Sequence, residues 1–116
     1  MLENSCVFCK IIRHDIPATI VYEDPEIMVI ENIQPIAPVH LLIVPKRHIE
    51  SVGTAEDNDQ EILGKMQLIA RDTSQKLKLD SFKLASNSGA AAGQSVFHLH
   101  YHLISGQIIP GGLQSL

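Results

Sequence analysis

The chain has 116 residues, 45% of them hydrophobic and 19% charged, with a formal net charge of −4. That is enough for one domain with its own core, and no apolar run approaches the roughly 20 residues that a membrane-spanning helix needs. Nine Lys and Arg stand against thirteen Asp and Glu, and the single short basic cluster Lys46-Arg47-His48 makes no positive stripe, so neither a long nucleic acid nor a membrane is expected as a partner.

Taken in chain order, the opening MLENSCVFCK lacks a basic flank and a long apolar segment. No secretory signal is read there, and a reducing, cytoplasmic setting is expected, with Cys6 and Cys9 as thiols or metal ligands rather than a disulfide. CVFCKIIR reads as a short helix ending before Pro17. TIVYED and IMVIEN, separated by Asp24-Pro25 and rich in β-branched residues, predict a hairpin. After the loop QPIAP, the run VHLLIVP is apolar enough for a central strand closed by Pro45. Between Thr54 and Leu79 the period changes: Ile62, Met66, Ile69, Thr73 and Leu77 form one helical stripe. Glu56, Asp57, Asp59 and Glu61 crowd its start and Lys76 and Lys78 its end, as the helix dipole favours. SFKLASN and FHLHYHLI are the last two strands, joined by SGAAAGQS. No repeat or linker divides the chain, so residues 1–116 are read as a single α+β domain: a five-stranded antiparallel sheet with one long and one short helix.

Residues two apart on a strand share a face and stand about 6.8 Å from each other. His98, His100 and His102 therefore form a row, while Phe97, Leu99, Tyr101 and Leu103 face the core. A solvent-facing polar strand accounts for this poorly, since His is not a favoured residue there. Two chemical readings stand: a metal site built from the imidazoles, or a catalytic row in which one imidazole is a nucleophile and its neighbours hold and protonate the reacting group. The preceding loop favours phosphate chemistry. Its small residues let main-chain N–H groups approach a ligand, and Gly89 and Gly93 permit the turns that gather amides into an anion-binding concavity. Asn87 adds a side-chain amide at one end and Ser95 a hydroxyl at the other.

The stretch GQSVFHLHYHLI resembles the signature of the histidine triad family, His-x-His-x-His followed by apolar residues. The likeness runs from Cys6 to about Gly106, through FCKIIRHDIPA, YEDPEIMVIENIQPIAPVHLLIVPKRHI and Asn87 eight residues before Ser95, with residues 106–116 as a tail. By motif and order the chain is similar to the nucleotide-binding branch, small dimeric nucleoside phosphoramidate and nucleotidyl hydrolases. The resemblance implies a homodimer and a purine nucleotide or nucleotidyl conjugate as ligand. It makes His100 the nucleophile toward the α-phosphorus, His102 the residue that meets the leaving group, and His40 the support from the neighbouring strand. It assigns Asn87, Gly93, Gln94 and Ser95 to the phosphate cradle, and Val7, Phe8, Ile11, Ile30 and Ile33 to the walls of the base pocket. Asn32 stands where the branch commonly has an Asp on the ribose hydroxyls; Ile30 replaces a frequent aromatic.

CVFC alone is a weak metal signal, because structural zinc wants four ligands. Zinc-containing relatives, including the galactose-phosphate uridylyltransferases, close such a pair with two histidines, which here implies a structural zinc on Cys6, Cys9, His48 and His98 and no catalytic metal. In relatives without the cysteines the residue matching His48 is a proton-relay partner of the one matching His40. Two other classes remain open: a nucleotide-binding regulatory module, and a metal-dependent hydrolase with His98, His100 and His102 on one zinc.

Overall fold

The computed structural model describes residues 5–116, Gln114 and Ser115 by their backbone alone; the reading of residues 1–4 falls outside that range. Helix α1 spans Val7–Ile12, followed by strands β1 (Ile20–Glu23), β2 (Ile27–Glu31) and β3 (Val39–Pro45). Helix α2 covers Gln60–Lys76, and β4 (Lys83–Ala85) and β5 (Tyr101–Ser105) complete the sheet. All pairings are antiparallel in the order β1-β2-β3-β5-β4, so the apolar run VHLLIVP is the central strand. This is the expected α+β architecture.

The hairpin turn is set by Asp24, whose Oδ1 accepts the N–H groups of Glu26 and Ile27 at 2.7 and 2.8 Å. Every residue of β3 except Val39 is buried, because both faces of the sheet are covered. On one face Ile27, Val29, Leu41, Ile43 and Leu103 pack against Ile62, Met66 and Ile69 of α2. On the other, Met28, Ile30, Leu42 and Val44 pack against Phe8 of α1. Alternation then places His40 and His102 on the α1 face: His102 pairs with Leu42, two residues along from His40, so the two imidazoles are diagonal neighbours across β3 and β5.

Five expectations need correction. The long helix is shorter than 54–79. It starts after a 3-10 turn at Asp57–Asp59, where Asp59 accepts the Glu56 N–H at 2.8 Å, and it ends at Lys76 ahead of Lys78, whose φ of 57° is left-handed. Leu77, read as part of the buried stripe, is 43% exposed. The strand reading of SFKLASN contracts to three residues, and that of FHLHYHLI begins only at Tyr101. Beyond Ala85 the Ser86 hydroxyl takes the His100 carbonyl at 2.8 Å, where a longer β4 would have continued the ladder. His98 and His100 thus precede the strand, and Phe97, expected in the core, is 45% exposed.

Candidate active site and metal cluster

None of the three histidines faces solvent: His98 is 0%, His100 8% and His102 8% exposed. Main-chain groups decide which ring nitrogen of each carries the proton. A carbonyl only accepts, so the 2.8 Å contact between His100 Nδ1 and the His98 carbonyl puts the His100 proton on Nδ1 and leaves Nε2 with a bare lone pair. A backbone N–H only donates, so the Ile36 N–H, 3.2 Å from His40 Nδ1, puts the His40 proton on Nε2. That proton is donated to His102 Nδ1 at 2.9 Å, which leaves the His102 proton on Nε2. The His100 and His102 rings lie 5.1 Å apart and Phe8 closes edge-on over His100 at 5.0 Å. The arrangement pairs a nucleophilic nitrogen with an N–H donor in a mostly apolar setting.

Burial holds all these imidazoles toward the neutral form. The pKa of His100 and that of His40 are lowered by it, and that of His102 falls from 6.5 to about 4 through burial first and then through His100 and His40. The folded state therefore takes up the His102 proton at lower pH than the unfolded chain, so stability is present above pH 6.5 and is lost as pH falls toward 4. Between pH 7 and 4 the wild type is expected to lose about 2–3 kcal/mol more than His102→Asn in urea unfolding. Equal losses in the two proteins would contradict the buried neutral imidazole.

On the other side of His100, Cys6 Sγ and Cys9 Sγ lie 3.2 and 3.5 Å from His98 Nδ1, and Cys9 Sγ lies 3.5 Å from His48 Nδ1. Ligand atoms of these four residues fall within 4.8 Å of one another. A tetrahedral zinc with Zn–S of about 2.3 Å and Zn–N of about 2.05 Å requires S···N edges of about 3.5 Å, so the cluster fits the metal that the resemblance implies. His98 Nε2–H donates to the Pro45 carbonyl at 2.7 Å, which turns the Nδ1 lone pair toward the sulfurs. The short helix α1 brings the cysteines together, its N-cap Cys6 Sγ accepting the Cys9 N–H at 3.3 Å. The alternative of one zinc on His98, His100 and His102 is not supported: among the described residues His98 clusters with Cys6, Cys9 and His48, and the metal-ligand cluster includes neither His100 nor His102.

The loop residues divide into two kinds. Gln94 is buried, donating to the Glu50 and Val96 carbonyls at 2.7 and 3.0 Å and accepting the Gly89 N–H at 2.8 Å, so its side chain holds the loop closed. Gly93 has φ 95°, and a Cβ there would meet Asn87 Nδ2 and the Leu116 carbonyl oxygen, each at 2.7 Å. Asn87 Nδ2 donates to the carbonyls of Ala92 at 2.8 Å and Leu116 at 2.5 Å. Ser95 is exposed beside a cleft that also borders Cys6, Val7 and His48. Of the expected pocket walls, Phe8 and Ile30 are buried, Ile11 packs against them, Val7 is partly exposed and Ile33 is 92% exposed. Asn32 is half-buried, its Nδ2 3.2 Å from His40 Nε2. The groups that sequence reasoning missed are chiefly main-chain: the Ile36 N–H and the His98 and Pro45 carbonyls, together with the Ser86 hydroxyl. Their positions arise only when distant segments meet.

With this geometry in view, comparison with known proteins is informative. Residues 5–114 match the family model described as scavenger mRNA decapping enzyme C-term binding. A histidine triad protein from Clostridium difficile is 35% identical with a TM-score of 0.90, the match covering 95% of this chain and 97% of that one. The chain belongs to the histidine triad family. Within the family, Protein HitA of Neisseria gonorrhoeae is 44% identical over 102 residues, 87% of this chain and 95% of that protein. A HIT family hydrolase from Clostridium thermocellum is also 44% identical, with a TM-score of 0.87 and coverage of 90% and 93%.

Proposed function

We propose that this histidine triad protein hydrolyses nucleoside 5′-phosphoramidates or related nucleotidyl conjugates through a nucleotidyl-histidine intermediate on His100. The observation that carries the reading is the Nδ1–H to carbonyl bond of His100, which leaves Nε2 bare beside the His102 N–H. Hydrolase and nucleotide-binding descriptions among the solved relatives support it. No helix among the described residues is long and apolar enough to cross a membrane; the cytoplasmic setting is part of the proposal.

In this scheme the anionic phosphate offsets the burial that keeps the His40–His102 pair neutral, and the pair takes up one proton. His102 then holds a hydrogen on each ring nitrogen, while His40 moves its own to Nδ1, releasing the Ile36 N–H, and accepts the His102 Nδ1–H on Nε2. His100 Nε2 attacks the α-phosphorus: an N–P bond forms, the P–N bond to the amine breaks, and the amine leaves with the proton from His102 Nε2. The phosphoryl-imidazolium is stabilised through its Nδ1–H by the His98 carbonyl. Water then attacks phosphorus, its proton passes to the bare His102 Nε2, and the bond to His100 breaks, restoring the charged pair. Donors at Asn87, Gly93 and Ser95 would hold the phosphoryl oxygens, and Val7, Phe8, Ile11, Ile30 and Ile33 would border a purine. Cys6, Cys9, His48 and His98 would hold a zinc with four protein ligands, which would pin His98, and with it the carbonyl that orients His100, without supplying a step of the chemistry.

The working unit in this proposal is a homodimer. Strand β4 ends the sheet with an unpaired edge, and Leu68 on α2 and Phe82 beside β4 are 51% and 41% exposed. Sedimentation is expected to give twice the chain mass of 12.8 kDa at micromolar concentration, with Leu68→Asp shifting it to the monomer. A wild-type monomer under those conditions would contradict the dimer.

A further inference from the structure

Asn32 follows β2 and lies beside the His40–His102 pair. Its Oδ1 accepts the Gln34 N–H at 2.8 Å, and that bond fixes the orientation of the amide. The NH2 end is therefore the one that stands 3.2 Å from His40 Nε2. Because the Ile36 N–H occupies Nδ1, Nε2 of neutral His40 also carries a hydrogen. Two donors face each other, and no hydrogen bond joins them. Flipping the amide gives no relief, since it would set the NH2 against the Gln34 N–H. His40 Nε2–H is left with His102 Nδ1, at 2.9 Å, as its acceptor.

We propose that Asn32 is a positioning residue that commits the His40 Nε2–H to His102 Nδ1 and so keeps the His102 proton on Nε2. It denies the His40 Nε2–H a second acceptor, while the Ile36 N–H occupies the nitrogen at which His40 would take up a further proton. The groups facing His40 are this amide, the Ile36 N–H and His102; His102 in turn faces His40 and His100. A carboxylate at position 32 would reverse the arrangement, accepting from His40 Nε2–H and drawing charge away from the histidine at the reacting centre. The catalytic meaning of this assignment rests on the phosphoramidate reading, in which His102 meets the amine; the assignment itself does not.

The test is a pH titration of the full chain, labelled with ¹⁵N-histidine and free of nucleotide, for wild type, Asn32→Asp and Asn32→Leu. In the wild type, His40 and His102 are both expected to carry their proton on Nε2 and to titrate below the ordinary histidine value of 6.5. Asn32→Asp should raise the His40 midpoint by about one pH unit or more and move the acid limb of the kcat profile in the same direction. Asn32→Leu, which offers no acceptor, should leave the His40 midpoint close to wild type. A folded Asn32→Asp protein with an unchanged His40 midpoint would overturn the proposal, as would a rise in Asn32→Leu equal to that in Asn32→Asp. The ring titrations need no substrate, so their failure is distinguishable from failure of the phosphoramidate reading, which would show as absent turnover with the titrations as expected.

Discussion

His100→Ala is expected to lower turnover of adenosine 5′-phosphoramidate by at least about 10⁴-fold while the protein still binds AMP with an affinity near that of wild type. The alanine removes the bare Nε2, for which no substitute stands nearby: His102 Nε2 carries a proton and its Nδ1 is taken by His40. Binding should survive because the loop donors and apolar walls belong to other residues. Folding should survive as well, since His100 bonds to main chain through a single Nδ1–H. The decisive contrast is between kcat and binding. A variant that retained activity within tenfold of wild type, a difference of about 1.4 kcal/mol in barrier, would show that His100 is not the nucleophile.

The second large effect concerns the metal. Purified protein is expected to hold close to one zinc per chain, and Cys6→Ser/Cys9→Ser to hold none, because a neutral serine hydroxyl is a poor substitute for a thiolate. The loss should lower Tm by at least about 10 °C, since ligand binding and folding of such a cluster are one equilibrium. Removing the metal frees the N-terminal helix from His98 and from His48, which lies after β3. The fraction that stays folded should keep measurable phosphoramidase activity, because the cluster does not include His100. If removing zinc from protein that circular dichroism shows to be folded abolished turnover, and zinc restored it, the metal would belong to the chemistry. If the protein held no zinc, His48 would return to the role of a proton-relay residue.

What the sequence made legible follows from how locally each feature is encoded. The central strand, the hairpin and the amphipathic stripe of α2 are period signals within single segments, and each appears, the helix shortened at both ends and its stripe without Leu77. The row of histidines was visible by its spacing, yet its strand reading extended too far. Alternation shows that Leu99, Tyr101 and Leu103 share the core face; it does not show that the His98 and His100 imidazoles bond to main-chain carbonyls, or that Leu99 N–H pairs with the distant Ile49 carbonyl at 2.6 Å. The burial of the row was equally hidden, because part of it comes from Phe8, about ninety positions away, which packs edge-on against His98 and His100. Gln94 shows the same limit. Its place in a glycine loop pointed toward a ligand, whereas the folded loop uses all three of its side-chain contacts internally.

The central claim is a covalent bond between His100 and the nucleotide, and intact-protein mass spectrometry of wild type quenched during turnover of adenosine 5′-phosphoramidate tests it most directly. The account predicts a population heavier by one adenylyl group, localised to His100 by peptide mapping, absent from His100→Ala and lost on incubation as water completes the reaction. Sustained turnover with no adduct at any quench time, or an adduct that persists in His100→Ala, would contradict it.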